Sequence, residues 1–313
     1  MRRHIMLGAV TIAATALALL LVLQTTRQTE PQRARIAVLT RRDVVVGDAA
    51  LFAGMEKAAE DSKVILNYVV VPPTATLAEE QLLAEQEIAD GAGAVLLEPV
   101  STAGSGKMAE ELSLEPSAAQ LRDERAYLRG LLGERADMEA AGHFGSVSAD
   151  NYAIGVVLGK EIAELLPDGG RIALLPESDA RGSIAARRQG IREALRGSAV
   201  QGQEETQGVA LLVGLEDSAL TAAAESAAAE EKRPLVVGVG NSNRNIYALD
   251  RGDIADMIVI NEFNMGYLAV AEAKKKLSSG LREMEQLRVG DTLVARDTMF
   301  SAENQKLLFP LVR

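Results

Sequence analysis

From Ile36 onward, short runs of aliphatic and β-branched residues alternate with stretches whose apolar residues recur at helical spacing. This alternation constrains the fold more than any other feature. Strands separated by helices pair in parallel, and a parallel sheet needs cover on both faces. Residues 36–39 read as a buried strand. A helix to about residue 60 follows, with Leu51, Phe52, Met55 and Ala59 on one face and Asp48 placed to cap it. Residues 64–71 form a second strand, stopped by Pro72 and Pro73. Thr76 and Glu79 make a capping box for a helix to Asp90. Residues 94–97 are the next strand, closed by Glu98-Pro99.

The stretch 112–142 is rich in Arg, Glu and Ala. Its spacing permits a helix, and residues 128–132 also fit a short strand. The rhythm then resumes with strands at 144–147, 171–175, 210–215, 235–239 and 256–260. Between them lie helices at about 152–166, 184–195, 219–231 and 265–277, the last stopped at Gly280. Ile154, Val157, Leu158, Ile162 and Leu165 form one apolar stripe. The class is α/β, with parallel sheets covered by helices on both faces. The 313 residues suffice for two ordinary domains.

The N-terminus carries a different signal. Arg2 and Arg3 precede an uncharged apolar run, residues 5–23, of about the length that crosses a bilayer as a helix (~20 residues). A polar tether, residues 24–35, leads into the first strand. This order predicts a body held outside the membrane. A signal peptidase needs small residues just before its cut, but Ala16-Leu17-Ala18 lies inside the run. A retained anchor is therefore the favoured reading, with a cleaved leader as the alternative. The chain has no cysteine, which excludes both a lipoprotein acyl anchor and disulfides.

Composition narrows the function. A net charge of -11 argues against nucleic acid. There are only two histidines: His4 in the leader and His143 in a glycine-flanked loop. They build neither a Ser-His-Asp triad nor a metal cluster. Paired carboxylates keep acid–base catalysis open. The segment GSGKM at 104–108 lacks the first glycine and the final hydroxyl of a phosphate loop, having Ser101 and Met108 in those places. GVG at 238–240 lacks the third glycine of a dinucleotide turn. Lys274, Lys275 and Lys276 read as a solvated helix end. No cofactor and no metal is implied.

Six segments, in this order, carry a resemblance. They are IAVL with Gly54 in the first helix, AGAVLLEP, VSADNYAIG, the R-x-x-G of Arg187 to Gly190, PLVVGVGN, and FNMGYLAV. Together they resemble type I periplasmic binding proteins of the ribose-binding kind, the sugar-binding subunits of ABC importers. Lactose-repressor-type regulators share that fold, but carry a DNA-binding helix-turn-helix where this chain has an apolar run. The resemblance implies two doubly wound lobes joined by a hinge of three crossings, with ligand in a cleft between them. It divides the chain into an anchor and tether (1–34), a first lobe (35–149 plus 261–290) and a second lobe (150–260 plus 291–313).

Carried over position by position, the resemblance gives ligand contacts at Arg41, Asp48, Glu98, Glu134, Arg135, Arg187, Glu216, Asp217, Asn241 and Asn261. Gly47 and Asp48 stand where the family has two stacking aromatic rings. The chain also has no Trp and only 3% aromatic residues. The pocket so drawn is polar and acidic, suited to vicinal hydroxyls or to an amino group. Three functions follow: an extracytoplasmic sugar or polyol receptor for an ABC permease, a membrane-anchored sensor working with a sensor kinase, or a carboxylate-based enzyme outside the cell. The first is the leading expectation.

Overall fold

A computed structural model of the chain describes residues 33–41, 49–72, 74–100, 128–132, 145–175, 182–203, 205–279 and 286–309. The apolar run 5–23, Asp48, Glu134, Arg135 and His143 lie outside the described residues. Among those described, no helix is long and apolar enough to cross a membrane.

Strands and helices alternate as the spacing predicts through β1 (Arg35–Thr40), α1 (Ala49–Ser62), β2 (Ile65–Val70), α2 (Leu77–Ala89) and β3 (Ala94–Leu97), and the next described elements are β4 (Leu128–Leu132) and β5 (Gly145–Ala149). Then come α3 (Asn151–Leu165), β6 (Gly170–Leu175), α4 (Gly182–Ala194), β7 (Val200–Gln203), β8 (Leu211–Gly214), α5 (Asp217–Ala229), β9 (Leu235–Val239), α6 (Asn243–Arg251) and β10 (Asp256–Ile260). The chain ends with α7 (Glu262–Ser279), β11 (Gln286–Val289), β12 (Asp291–Ala295) and α8 (Ala302–Leu308). Residues 128–132 are strand, the second of the two readings their sequence permits.

The strands make two sheets, ordered β11-β5-β4-β3-β1-β2 and β12-β10-β9-β8-β6-β7. All pairings are parallel except β10 with β12. Each sheet contains the same doubly wound order, which reverses direction between β1 and β3 in the first and between β6 and β8 in the second.

Side-chain alternation explains why both faces are covered. Ile36 and Val38 join one apolar cluster, while Ala37 and Leu39 join another on the opposite face with Val95, Leu97, Ala84 and Ile88. In the second sheet, Leu211 and Val213 pack to one side, and Leu212 packs to the other with Val236, Met257 and Val259. Strands buried on both faces need continuous apolar runs, which these are.

Helices flank the sheets in close pairs. The Thr76 capping box of α2 forms as expected, with Thr76 and Glu79 each satisfying the other's backbone N–H. On the first sheet, α1 packs on α7, and a Cβ at Gly54 would collide with the Phe263 carbonyl. A Cβ at Gly266 would collide with the Leu51 carbonyl. On the second, α3 packs on α4, with Gly155 against the Arg187 carbonyl and Gly190 against the Tyr152 carbonyl. Each contact brings one backbone against another, so no side-chain adjustment relieves an added methyl.

Several features depart from the sequence reading. The lysine run is not a uniform solvated face: Lys276 is only 4% exposed and pairs with Glu272 at 3.8 Å. Consecutive helical residues are turned by about 100°, so three in a row cannot share one side, and Lys276 falls on the inner one. Helix α6 was not anticipated. It is short and polar, held by Ser242 at its start and by Gly252 at its end in the left-handed region (φ 78). Strands β7, β11 and β12, all at sheet edges, and helix α8 were also missed.

Gly155→Ala is expected to destabilise the protein by about 1–3 kcal/mol or more through overpacking. Gly202→Ala, where nothing lies within 4 Å of the added carbon, should be close to neutral. Thermal and chemical denaturation of the two variants checks the difference.

Candidate functional site

The chain passes between the sheets three times: after β5, after β10, and between β11 and β12. All three passages are tied together. At the first, Asp150 caps α3 by accepting a hydrogen bond from the Ala153 N–H at 3.2 Å. Its other carboxylate oxygen pairs with Arg288 of β11, next to the third passage. At the second, Asn261 accepts from the Asn264 N–H at 3.0 Å and so caps α7. The Asn261 N–H in turn donates to the Gly290 carbonyl of the third passage at 3.0 Å.

Arg187, on α4, is only 8% exposed. Its Nε donates to Asn151 Oδ1 at 2.9 Å, and a terminal nitrogen donates to the Leu215 carbonyl at the end of β8. The R-x-x-G signature explains this placement. Gly190 and Gly155 bring α4 against α3, which puts the guanidinium within reach of the first residue of α3.

Asp291 opens β12 on the far side of the third passage. Burial pushes its carboxyl above the usual aspartate range, and the Arg187 charge pulls the other way. Arg187 is therefore bonded to the first passage and to the end of β8, and interacts electrostatically with the third.

The remaining site residues stand at strand carboxyl ends. Arg41 directly follows β1, and Glu98 directly follows β3, across the β1/β3 switch point. Glu98 is 9% exposed and accepts a hydrogen bond from the Thr40 hydroxyl at 3.1 Å. Glu216 precedes α5 and accepts from the Ser218 hydroxyl at 3.1 Å. Asp217 gathers the next loop, its Oδ1 accepting at 2.9 Å from the Asn241 N–H, the Ser242 N–H and Asn245 Nδ2. The Asn241 side chain donates to Glu262, in the first turn of α7, at 3.0 Å.

Of the ten residues expected in the site, seven are described. Five of them (Arg187, Glu216, Asp217, Asn241 and Asn261) lie along the second sheet's loops and the passages. Arg41 and Glu98 lie at the first sheet's switch point. Thr40, Asn151, Glu262, Arg288 and Asp291 were missed. Only Asn151 had a visible signal, as part of the segment VSADNYAIG. The others matter through partners distant in sequence. Chemically the arrangement offers carboxylates, amides and guanidinium groups, suited to binding polar groups by hydrogen bonds. Among the described residues, no group of His, Cys, Asp and Glu could hold a metal ion.

Residues 133–281 match the family model described as Periplasmic binding protein domain. No curated protein sequence matches the chain. Solved structures do. One is a carbohydrate transporter solute binding protein from Agrobacterium radiobacter in complex with D-arabinose, at 15% identity over 89% of this chain and 100% of that one, with a TM-score of 0.75. An ABC transporter solute binding protein from Agrobacterium vitis with bound D-fucose matches at 15% identity over 88% of this chain and 100% of that one, TM-score 0.72. A glucose-galactose binding protein from Geobacillus stearothermophilus matches at 15% identity over 86% and 99%, TM-score 0.68. The fold is the type I periplasmic binding protein fold, and the resemblance carried by the six sequence segments holds.

Two outcomes test the hinge. Arg187→Met should cost on the order of 3 kcal/mol in denaturation, because it removes hydrogen bonds from a charged donor and leaves the Leu215 carbonyl and Asn151 without it. Asp291→Asn should act in the opposite sense. The folded state raises the pKa of Asp291, so it binds more protons than the unfolded chain just above the ordinary aspartate range. Stability contributed there is lost as pH rises. The Asn variant should be the more stable at pH 7, and its advantage should shrink as pH falls through the normal carboxylate range. A melting series against pH reads this.

Proposed function

We propose that this chain, with its type I periplasmic binding protein fold, is an extracytoplasmic solute-binding protein that captures a small sugar or polyol for an ABC importer. The observation that carries the reading is the pair of doubly wound sheets joined by three hydrogen-bonded passages, with polar side chains at the strand ends. Open parallel sheets bind ligands beyond the carboxyl ends of their strands. Two such sheets on a hinge can close on a solute and bury it. The sugars held by the similar solved proteins support the same ligand class.

The lobes divide at the passages: residues 35–149 with 261–290, and 150–260 with 291–313. Closure brings Arg41 and Glu98 of the first lobe toward Glu216, Asp217 and Asn241 of the second. A permease recognises the closed pair. The apolar segment 5–23 holds the protein at the outer face of the membrane. That anchor also favours a second reading, in which closure is passed to a neighbouring sensor kinase. The role in either case is binding rather than catalysis.

Isothermal titration of the full chain tests the reading, in a detergent without a sugar headgroup, against neutral pentoses, hexoses, polyols and their acidic congeners. At least one is expected to bind with micromolar or tighter affinity. Silence across the panel overturns the proposal.

A further inference from the structure

We propose that Arg41 is the anchor for an anionic group, so that the solute is an acidic sugar bearing a carboxylate or phosphate. This rests on the solute-binding reading and names the ligand class of that same site.

The argument begins with topology. Arg41 is the first residue after β1, and β1 lies beside β3 with Leu39 opposite Leu97. The strand order reverses there, and doubly wound sheets bind their ligands at such a switch point. Arg41 therefore stands where a doubly wound sheet presents its binding crevice.

The second observation is the state of the guanidinium. Arg41 is partly buried and its Nε is shielded from solvent, yet among the described residues that nitrogen finds no hydrogen-bond acceptor. A shielded donor left without an acceptor costs free energy, and a guanidinium cannot lose its proton to escape that cost. The other arginine of the site is in a different condition. Arg187 is already bonded to Asn151 and to the Leu215 carbonyl.

The third observation concerns the neighbours. Glu98, across the switch point, accepts the Thr40 hydroxyl, and Asp217 is occupied by three donors from its own lobe. These acids are engaged in holding their loops. A planar guanidinium fork matches a carboxylate or a phosphate in a way that a lone sugar hydroxyl does not. The low aromatic content agrees, since a charged anchor replaces part of what ring stacking supplies to a neutral sugar.

The experiment titrates the full chain in a detergent without a sugar headgroup, using matched pairs. D-galactose is compared with D-galacturonate and galactose 6-phosphate, and D-arabinose with D-arabinonate. The acidic member is expected to bind at least about tenfold tighter than its neutral parent, as for a hydrogen bond to a charged group. Comparing galacturonate with the phosphate identifies the anion. Arg41→Gln should abolish the preference, so that within this variant the acidic member binds no tighter than its neutral parent. Arg41→Lys, which keeps the charge and loses the fork, should retain the preference at reduced affinity. Melting curves of both variants establish that they fold. Neutral sugars binding as tightly as their acids, with no change in Arg41→Gln, overturns the Arg41 assignment and leaves the solute-binding reading standing. Absence of binding by every compound overturns both.

Discussion

Three passages of one chain between two sheets must stay in register with one another, and a short set of polar contacts holds them so. Asp150 with Arg288, Asn261 with the Gly290 carbonyl, and Arg187 with Asn151 and Leu215 tie every passage to another passage or to a strand end. Each contact joins residues far apart in sequence. Burial of Asp291 raises its pKa, so its charge works against the assembly.

The helix pairs determine where the hinge and the strand ends lie. Gly54 and Gly266 on the first sheet, and Gly155 and Gly190 on the second, let helix backbones touch. The repetition follows from the doubly wound order that both sheets share. In each pair one helix directly follows a passage: α7 the second, α3 the first. Backbone contact within the pair therefore fixes the helix start, and with it the capping residue, Asn261 or Asp150, that belongs to the hinge.

This arrangement gives two arginines of similar chemistry different duties. Arg187 is bonded to Asn151 and to the Leu215 carbonyl, and so ties the start of α3 to the end of β8. Arg41 sits at the switch point of the first sheet with its Nε shielded and unmatched among the described residues. Asp217 illustrates the same division. Its identity suits a ligand contact, but its Oδ1 organises the loop that carries Asn241, and Asn241 reaches α7 through Glu262. Local hydrogen bonding decides which charged side chains are structural and which remain available.

Much of the fold could be read from the chain directly. Aliphatic runs long enough to be buried on both faces dictated parallel strands, and helical stripes such as Ile154, Leu158 and Ile162 dictated their covers. The cap at Thr76 was visible because a cap is a local bargain between neighbours. The edge strands β11 and β12 were not visible, since pairing with β5 and β10 is settled by partners more than a hundred residues away in the first case and about thirty in the second. The burial of Lys276 depended on which side of α7 meets the sheet. The roles of Arg288, Glu262 and Asp291 depended on the crossings themselves. Periodicity and capping are near-neighbour physics and survive in one dimension. Hinge contacts and the satisfaction of a guanidinium are properties of three-dimensional proximity, and appear only once the chain has folded.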